Sequence, residues 1–302
     1  MSDLQRNQTA RDYAERILRV LVHIQRHLDD ELSLDELATI ARFSPFHFHR
    51  VFRGMVGESV KEHVRRLRLE RAAHRLKFSD EQVVRLALDA GYEAHESFTR
   101  AFAAMFGVSP SEFRKSHRSV AYPPSPSNIH FAPVGDLDAF SPQPPGEKAM
   151  NVRIEKIPPA RVAFVRHIGP YDQVGAAWGR IMSWAGMKGL LGPTMRFFGL
   201  CYSDPDVTPP DKIQYDACLV VGPNVQPEGD IGVQDFDGGE YAVAVHKGSY
   251  SELGETYAML CGQWLPNSGR ELGPPPCMER YMNNPQTTPE DQLVTEVCLR
   301  LA

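Results

Sequence analysis

Apolar residues recur at helical spacing through the first third of the chain. Within residues 91–115, four of them fall on one face of a predicted helix: Phe98, Ala101, Phe102 and Met105. The same period predicts an all-α region whose helices cover residues 10–28, 34–41, 45–56, 60–77, 80–90, 95–106 and 110–116. A glycine turn at Gly91 followed by a helix with a polar start is the layout of a DNA-reading helix-turn-helix, although any packed helical pair shares this pattern.

This helical region contains an internal repeat. Shifted by 50 residues, the chain matches itself at seven positions, most of them on helix faces, in turns or at helix starts. The matches are Phe48 with Phe98, Arg50 with Arg100, Phe52 with Phe102, Met55 with Met105, Gly57 with Gly107, Ser59 with Ser109 and Glu62 with Glu112. Two copies of one supersecondary unit are therefore predicted.

Capping chemistry marks the helix starts independently of the apolar pattern. The S-x-x-E/Q box, in which the serine and the acid or amide cap each other's backbone, occurs four times. The pairs are Ser33 with Glu36, Ser59 with Glu62, Ser79 with Gln82 and Ser109 with Glu112.

The predicted helix at residues 60–77 sets the distance between the two units. At 1.5 Å per residue it spans roughly 27 Å, so units at its ends could sit about one DNA turn (~34 Å) apart. Two recognition helices could then enter two successive major grooves. The helix carries Arg65, Arg66, Arg68, Arg71 and Arg75. These arginines form either a solvated face paired with Glu62 and Glu70, or in part contacts to phosphate.

These residues resemble the tandem helix-turn-helix domain of AraC/XylS transcriptional regulators. The resemblance covers about residues 11–117 and rests on residues 44–57 and 91–115, above all on the run GYE, SFTRAF and GVSPSEFR. It implies base-reading positions in both units, at Phe46, His49, Arg50, His95, Glu96, Ser97, Thr99 and Arg100.

The chemistry of these side chains suits DNA to different degrees. Arginine pairs with guanine O6 and N7, and serine or threonine can bond bases or phosphates. Phe46 could pack on a thymine methyl group or belong to the core. His47 is a further candidate, with an ordinary exposed histidine as the alternative. Glu96 departs from the polar amide expected there.

Proline-rich composition separates the helical region from the rest of the chain. Seven prolines lie between residues 119 and 150, with few apolar residues in any period. Such a segment is typical of an extended, semi-stiff linker, within which residues 129–134 could form a short strand against one domain. The predicted organisation is a DNA-binding domain at 10–118, a linker at 119–149 and a second domain at 150–302.

Strand patterns and a second internal repeat follow from residue 151. Strands are predicted at 152–157, 162–167, 197–202, 215–221, 241–246, 278–281 and 294–299, with helices at 173–184 and 252–264. The run HIGPY at 167–171 and its following helix parallel HKGSY at 246–250 and the next helix. Two halves with pseudo-twofold symmetry predict an α+β domain with a groove between them.

This half resembles the GyrI-like, or SHS2-duplicated, effector-binding domains. The supporting stretches are YDAC at 215–218, GGEY at 238–241, HKGSY at 246–250, WLPNSG at 264–269 and ERY at 279–281. The resemblance implies a hydrophobic pocket for amphipathic or cationic small molecules, with an acidic residue inside it.

Glu279 is the candidate acid of this pocket. On a strand it shares a face with Tyr281, so its carboxylate would lie among aromatic rings that can stack on a ligand cation. The alternative is a surface glutamate paired with Arg280 or with another basic residue. Further lining candidates, each of which could instead be core, are Tyr171, Trp178, Phe197 and Trp264. His167 and His246 are expected to brace turns, because no third ligand suggests a metal site.

Composition and charge are consistent with two domains, of which only the first binds DNA. The chain has 302 residues, 42% hydrophobic and 24% charged, with no apolar run long enough for a membrane span. Residues 1–119 carry 20 basic and 17 acidic residues, a net charge of +3, whereas residues 120–302 carry 13 and 21, a net charge of −8. Only the first part suits DNA. Five cysteines without a C-x-x-C pair predict buried thiols in a cytoplasmic protein.

The prediction is a transcriptional regulator that reads double-stranded DNA and senses a small molecule, such as a lipophilic cation. No cofactor, metal or catalytic residue is predicted. Activation by contact with RNA polymerase and repression by occlusion both remain open, as do the operator and the effector. The alternative function is a GyrI-like hydrolase of a reactive small molecule, with Glu279 as general base and Tyr281 as orienting hydroxyl, tethered to a DNA-binding module.

Overall fold

The computed structural model describes residues 3–116, 120–135, 137, 139–142, 150–192 and 195–302. The chain divides into two compact units, residues 10–144 and residues 145–302 together with 1–9. The predicted domains at 10–118 and 150–302 each fall within one of these units. None of the described helices combines the length and apolar character that a membrane crossing requires.

The helical unit contains the helices that the apolar period predicts. They are α1 (Asp3–Arg26), α2 (Leu34–Ala41), α3 (Pro45–Val56), α4 (Val60–Phe78), α5 (Val83–Asp89), α6 (His95–Phe106) and α7 (Pro110–Lys115). The described part of this unit has no strand, so the all-α prediction is confirmed. Each helix buries one face, as an amphipathic pattern requires.

The 50-residue repeat is visible in the helix boundaries. Helices α3 and α6 begin and end at positions 50 residues apart, and each is followed by a left-handed glycine, Gly57 with φ 84° and Gly107 with φ 77°. The helices that follow them, α4 and α7, both start with a complete capping box in which serine and glutamate bond each other's backbone. The two copies therefore share their turns as well as their apolar faces.

One predicted capping box is wrong. Ser79 lies at the end of α4, where its hydroxyl donates to the carbonyl oxygen of Arg75, and α5 begins only at Val83. The serine hydroxyl is used at the end of α4, and residues 80–82 form the connection between α4 and α5 instead of opening α5.

Helix α4 joins the two helical pairs, and its arginines hold them in place. Arg66 pairs with Glu70, as one interpretation predicted, and with Glu58. The other four donate to the loops and helices around α4. Their acceptors are the Tyr92 hydroxyl for Arg65, the Leu28 carbonyl for Arg68, the Asp89 carbonyl for Arg71, and the Glu81 and Asp89 carboxylates for Arg75. Glu62 completes the capping box at Ser59. These bonds favour a bracing role for the arginines over phosphate contact.

The segment after the helices is fastened to the helical unit. The buried carboxylate of Glu70, 0% exposed, accepts hydrogen bonds from the Phe131 amide at 2.7 Å and from Arg66 at 2.9 Å, and it contacts His130 Nδ1 at 3.0 Å. The Gln25 side-chain amide bonds the chain on either side of Phe131. Residues 129–134 form no strand; these side chains satisfy their backbone instead.

The second unit is one eight-stranded antiparallel sheet with helices. Its strands are β1 (Val152–Ile157), β2 (Ala160–Ile168), β3 (Phe197–Cys201), β4 (Gln214–Val220), β5 (Gly232–Phe236), β6 (Gly239–Lys247), β7 (Cys277–Tyr281) and β8 (Val294–Arg300). Their order in the sheet is β1-β6-β8-β7-β3-β4-β2-β5. The predicted α+β class is confirmed.

The strand order contains the predicted pseudo-twofold symmetry. Strands β7 and β3 meet at its centre, where Gly199 and Glu279 are directly paired. Outward from this pair, β8 and β4, β6 and β2, and β1 and β5 occupy equivalent places. The edge strand β5 escaped prediction because its sequence GVQDF contains glycine and aspartate, which are depleted in strands.

The two faces of the sheet are different. On one face, α8 (Gly175–Met187) packs on β2 and β4, and α9 (Leu253–Met259) packs on β6 and β8. After α9 the predicted helix continues as a π-helical turn, Leu260–Trp264, and as α10 (Leu265–Ser268). The opposite face buries an apolar cluster that includes Phe198, Cys218 and Met278.

We predict that Glu70→Ala lowers the free energy of unfolding of the helical unit by about 3 kcal/mol, because it removes the buried acceptor of the Phe131 amide and one of the two carboxylates that pair with Arg66. Glu70→Gln keeps an acceptor for the Phe131 amide and should cost less. Urea unfolding followed by helical circular dichroism measures both. Equal midpoints for wild type and Glu70→Ala would show that this attachment adds nothing to stability.

Candidate functional site

Helix α6 has exposed polar residues at its N-terminal end and a buried apolar face on its other side. His95, Glu96 and Arg100 are exposed, and Ser97 and Thr99 are half-buried. Phe98 and Phe102 are fully buried in the core on its other side. The Arg100 guanidinium lies 3.5 Å from the Ser97 hydroxyl. The five residues that the resemblance assigns to base reading in the second unit thus lie together on one side of one helix.

The turn before α6 fixes how the helix begins. Gly91 has φ 82°, a left-handed backbone conformation that favours glycine, and the place of a Cβ there lies 2.9 Å from an Arg68 guanidinium nitrogen. The next residue, Tyr92, accepts a hydrogen bond from Arg65 at 3.1 Å and packs edge-on against Phe98. The hydrogen bond from Arg65 therefore ties the turn before α6 to α4.

The corresponding side chains of α3 are less exposed. His47, His49 and Arg50 are buried and Phe46 is half-buried, with the Arg50 guanidinium 4.5 Å from the centre of the Phe46 ring. Burial, together with the charge of Arg50, lowers the pKa of His47 to about 4, so its imidazole is neutral at neutral pH. The DNA contacts assigned to α3 stay predictions.

A second candidate site lies on the helix-covered face of the sheet, around Glu279. Its side chain is 7% exposed. The Tyr257 hydroxyl of α9 donates to Glu279 Oε1 at 3.0 Å, and the Tyr281 hydroxyl donates to Oε2 at 2.7 Å. Two phenols, one from a helix and one from the strand itself, therefore hold this carboxylate in place.

The hydrogen bonds continue from Tyr281 into the other repeat. Tyr215 Oη lies 2.9 Å from Tyr281 Oη, and the Trp178 indole N–H donates to Tyr215 Oη at 2.9 Å. Because the Tyr281 proton points to Glu279, Tyr215 must donate to Tyr281. The result is a directed chain from Trp178 through Tyr215 and Tyr281 to the carboxylate.

Aromatic rings surround this chain. Tyr281 is contacted edge-to-face by Trp178, with centroids 5.7 Å apart, and by Tyr250, with centroids 5.5 Å apart. Phe197 packs against Trp178, and Tyr171 packs against Tyr215. We call Glu279 and the rings linked to it the aromatic site; its members are Glu279, Tyr257, Tyr281, Tyr215, Trp178, Tyr250, Phe197 and Tyr171.

Glu279 has no basic partner within the part of the chain that the structure describes. Its neighbour Arg280 points to the opposite face of the sheet, where it pairs with Glu155 and Glu296 at 2.7 Å. The alternative interpretation of Glu279 as a surface glutamate paired with Arg280 is therefore wrong. The two phenol protons are its bonded partners.

The environment keeps these phenols protonated. Burial raises the pKa of Tyr215 and of Tyr281 well above the usual value, and the negative charge of Glu279 raises both further. The pKa of Tyr250 is raised for the same two reasons. The tyrosines are therefore hydrogen-bond donors at neutral pH, not candidates for a phenolate base.

The structure joins five of the six residues predicted to bind an effector. Glu279, Tyr281, Tyr171, Trp178 and Phe197 belong to the aromatic site. Among the described residues, Trp264 makes no hydrogen bond or ring contact to the members of the aromatic site. As effector contacts all six stay predictions.

Sequence reasoning missed Tyr215, Tyr250 and Tyr257 as members of the aromatic site. The internal repeat was the signal that could have found two of them, because Tyr250 matches Tyr171 and Tyr257 matches Trp178. The Tyr215 ring on β4 lies over Gly199 of the neighbouring strand β3, and that proximity depends on strand order.

The two repeat histidines brace turns, as predicted. His167 Nε2 lies 3.0 Å from the Pro170 carbonyl oxygen, and His246 Nε2 lies 3.0 Å from the Ser249 carbonyl oxygen. His246 Nδ1 also bonds the Thr256 hydroxyl at 2.8 Å. Each ring therefore closes the loop that leads to the helix carrying Trp178 or Tyr257.

Comparison with known proteins agrees with this division of the chain. Residues 150–302, half of the chain, match the family model described as a GyrI-like small molecule binding domain. Residues 37–116 match a model described as a helix-turn-helix domain. The two matched segments contain the aromatic site and helices α3 and α6, respectively.

Several curated relatives are similar to parts of the chain. YbfP of Bacillus subtilis, described as an uncharacterized HTH-type transcriptional regulator, is 34% identical over 102 residues, 34% of this chain and 35% of YbfP. AarP of Providencia stuartii, an HTH-type transcriptional activator, is 38% identical over 100 residues, 33% of this chain and 74% of AarP. YgiV of Escherichia coli, a probable transcriptional regulator, is 28% identical over 156 residues, 51% of this chain and 97% of YgiV.

The chain thus spans only about a third of YbfP but nearly all of YgiV. These three relatives are described as transcriptional regulators or activators. With its family match over residues 150–302, the chain belongs to the GyrI-like small-molecule-binding family, and it carries an AraC-type helix-turn-helix domain in the same polypeptide.

Proposed function

We propose that the chain is a one-component transcriptional regulator: it binds double-stranded DNA with its helix-turn-helix domain and an amphipathic or cationic small molecule at the aromatic site. One observation carries the second half of this proposal. Glu279 is a nearly buried carboxylate whose partners among the described residues are two phenols and no base. A ligand with positive charge would supply the partner that the protein itself does not.

The energetics favour a cation over a neutral ligand. Removing a carboxylate from water costs several kcal/mol, and an opposite charge close by recovers part of this cost. The rings add to the attraction, because an aromatic face within about 6 Å of a cation contributes about 0.5–2 kcal/mol. Trp178 and Tyr250, which both pack edge-to-face against Tyr281, are the rings that we propose supply such faces.

The proposal that the chain binds DNA depends on α6 and on helix α4, which joins the two helical pairs. Exposed Arg100 and the neighbouring polar residues are of the types that bond base edges in a major groove. Helix α4 has 19 residues, a length of roughly 28 Å, so recognition helices attached to its two ends suit successive major grooves. The regulatory descriptions of YbfP, AarP and YgiV support the same function.

Sensing requires that the ligand bind two states of the protein with different affinity. A bound cation changes the charge at Glu279 and the hydrogen bonds of Tyr257 and Tyr281. Those bonds connect α9 with both halves of the sheet. We propose that this rearrangement is the event that alters transcription, either through RNA polymerase or through occlusion of the promoter.

We predict that Glu279→Gln weakens binding of tetraphenylphosphonium to the full chain by about 10- to 100-fold, because the neutral amide removes the charge that attracts the cation. Isothermal titration calorimetry measures the change. The matched control is Glu155→Gln, which removes the same charge on the opposite face, where Arg280 is its partner. It should leave the cation affinity unchanged.

Two outcomes would contradict this assignment. An equal loss in both variants would mean that the effect is only one of net charge. A Glu279→Gln protein that still binds a reactive ester but no longer hydrolyses it would instead support the hydrolase alternative.

We predict that Arg100→Ala weakens binding to a DNA site selected from a random pool by about 1–3 kcal/mol and relaxes one base position. Fluorescence anisotropy on the selected site and its single-base variants measures both effects. Arg180→Ala, an exposed arginine in the sheet unit, is the control for net charge and should change little. A loss of equal size on every sequence would make Arg100 a phosphate contact.

A further inference from the structure

The aromatic site is asymmetric although the fold around it is nearly symmetric. Gly199 and Glu279 are paired residues at the pseudo-twofold centre, so each occupies the place of the other in its own repeat. One repeat therefore contributes a carboxylate at this place, and the other contributes no side chain at all.

Tyr215 covers the place of the missing side chain. A Cβ at Gly199 would lie 2.6 Å from two carbon atoms of the Tyr215 ring, which no side chain tolerates. The Tyr215 ring is 1% exposed, and its hydroxyl is bonded to Trp178 and Tyr281. The equivalent residue in the other repeat is the much smaller Thr295, which pairs with His246 as Tyr215 pairs with His167.

The other buried carboxylates of the sheet do not restore a second negative charge. Asp216 alternates with Tyr215 along β4, and Glu296 alternates with its equivalent Thr295 along β8, so both acids point to the face opposite the aromatic site. Asp216 is bonded by Arg166 at 2.9 Å, and Glu296 is bonded by Arg153 and Arg280. Both are therefore neutralised by arginine and shielded from the site by the sheet.

From this arrangement we infer that the aromatic site is selective for ligands with one positive charge and a flat aromatic ring, and that it discriminates against dications of the same shape. This inference rests on the proposed function, since it concerns the same site. One carboxylate matches one cationic group. A second positive charge within the ring-lined site would lose its hydration without an acceptor.

Two probes of nearly the same size and shape test this selectivity on the full chain. N-methyl-4-phenylpyridinium carries one charge, and N,N′-dimethyl-4,4′-bipyridinium carries two. Calorimetric titration should give a dissociation constant for the dication at least about tenfold larger than for the monocation. Comparable constants for the two probes would overturn the inference and leave the cation-sensor proposal intact. If neither probe binds, the proposed cation binding at the aromatic site is contradicted, and the inference about selectivity is contradicted as well.

A designed variant gives an independent test. Gly199→Glu combined with Tyr215→Thr copies into the first repeat the residues that the second repeat has at Glu279 and Thr295. We expect this variant to bind the dication at least about tenfold more tightly than the wild type does. Unchanged dication affinity in a folded variant, as judged by circular dichroism, would contradict the inference, and the wild-type comparison stands if the variant does not fold.

Discussion

A buried carboxylate, to which the described part of the chain supplies no basic partner, is the constraint on which the aromatic site depends. Charged groups inside proteins are normally paired, and the other buried acids of this sheet, Asp216 and Glu296, follow that rule. Glu279 instead accepts two phenol protons, and the chain of hydrogen bonds behind one of them reaches Trp178 in the other repeat. A carboxylate without a basic partner among the described residues thus lies within a group of aromatic rings, which is the arrangement that the proposed binding of a cation requires.

The duplicated architecture explains how such a site is built. Each repeat closes a loop with a histidine and then starts a helix that aims a polar aromatic residue at the centre of the sheet, Trp178 in one half and Tyr257 in the other. The symmetry places these two helices on either side of the centre of the sheet. The difference between Gly199 and Glu279 makes the site between them asymmetric. In the helical unit, duplication works in a comparable way, since two copies of one helical pair are attached to the two ends of α4.

Sequence patterns predicted most of the fold because the determinants were local. The bounds of α2, α3 and α6 follow from apolar period, caps and glycine turns, and the repeats revealed the second copy of each unit. What escaped prediction depends on tertiary partners. The arginines of α4 look like a solvated face until the loops that accept their hydrogen bonds are in place. Tyr215 joins the aromatic site only because strand order places its ring over Gly199, and Glu70 fastens the segment near Phe131 across 61 positions of sequence.

The central claim is that occupancy near Glu279 and DNA binding are coupled. The most direct measurement is the affinity of the full chain for its selected DNA site with and without saturating tetraphenylphosphonium, together with the affinity for the cation with and without DNA. Coupling requires that both affinities change by the same factor, about 5- to 150-fold for typical allosteric proteins, and that Glu279→Gln removes the change. An unchanged DNA affinity while calorimetry shows the cation bound would contradict the account.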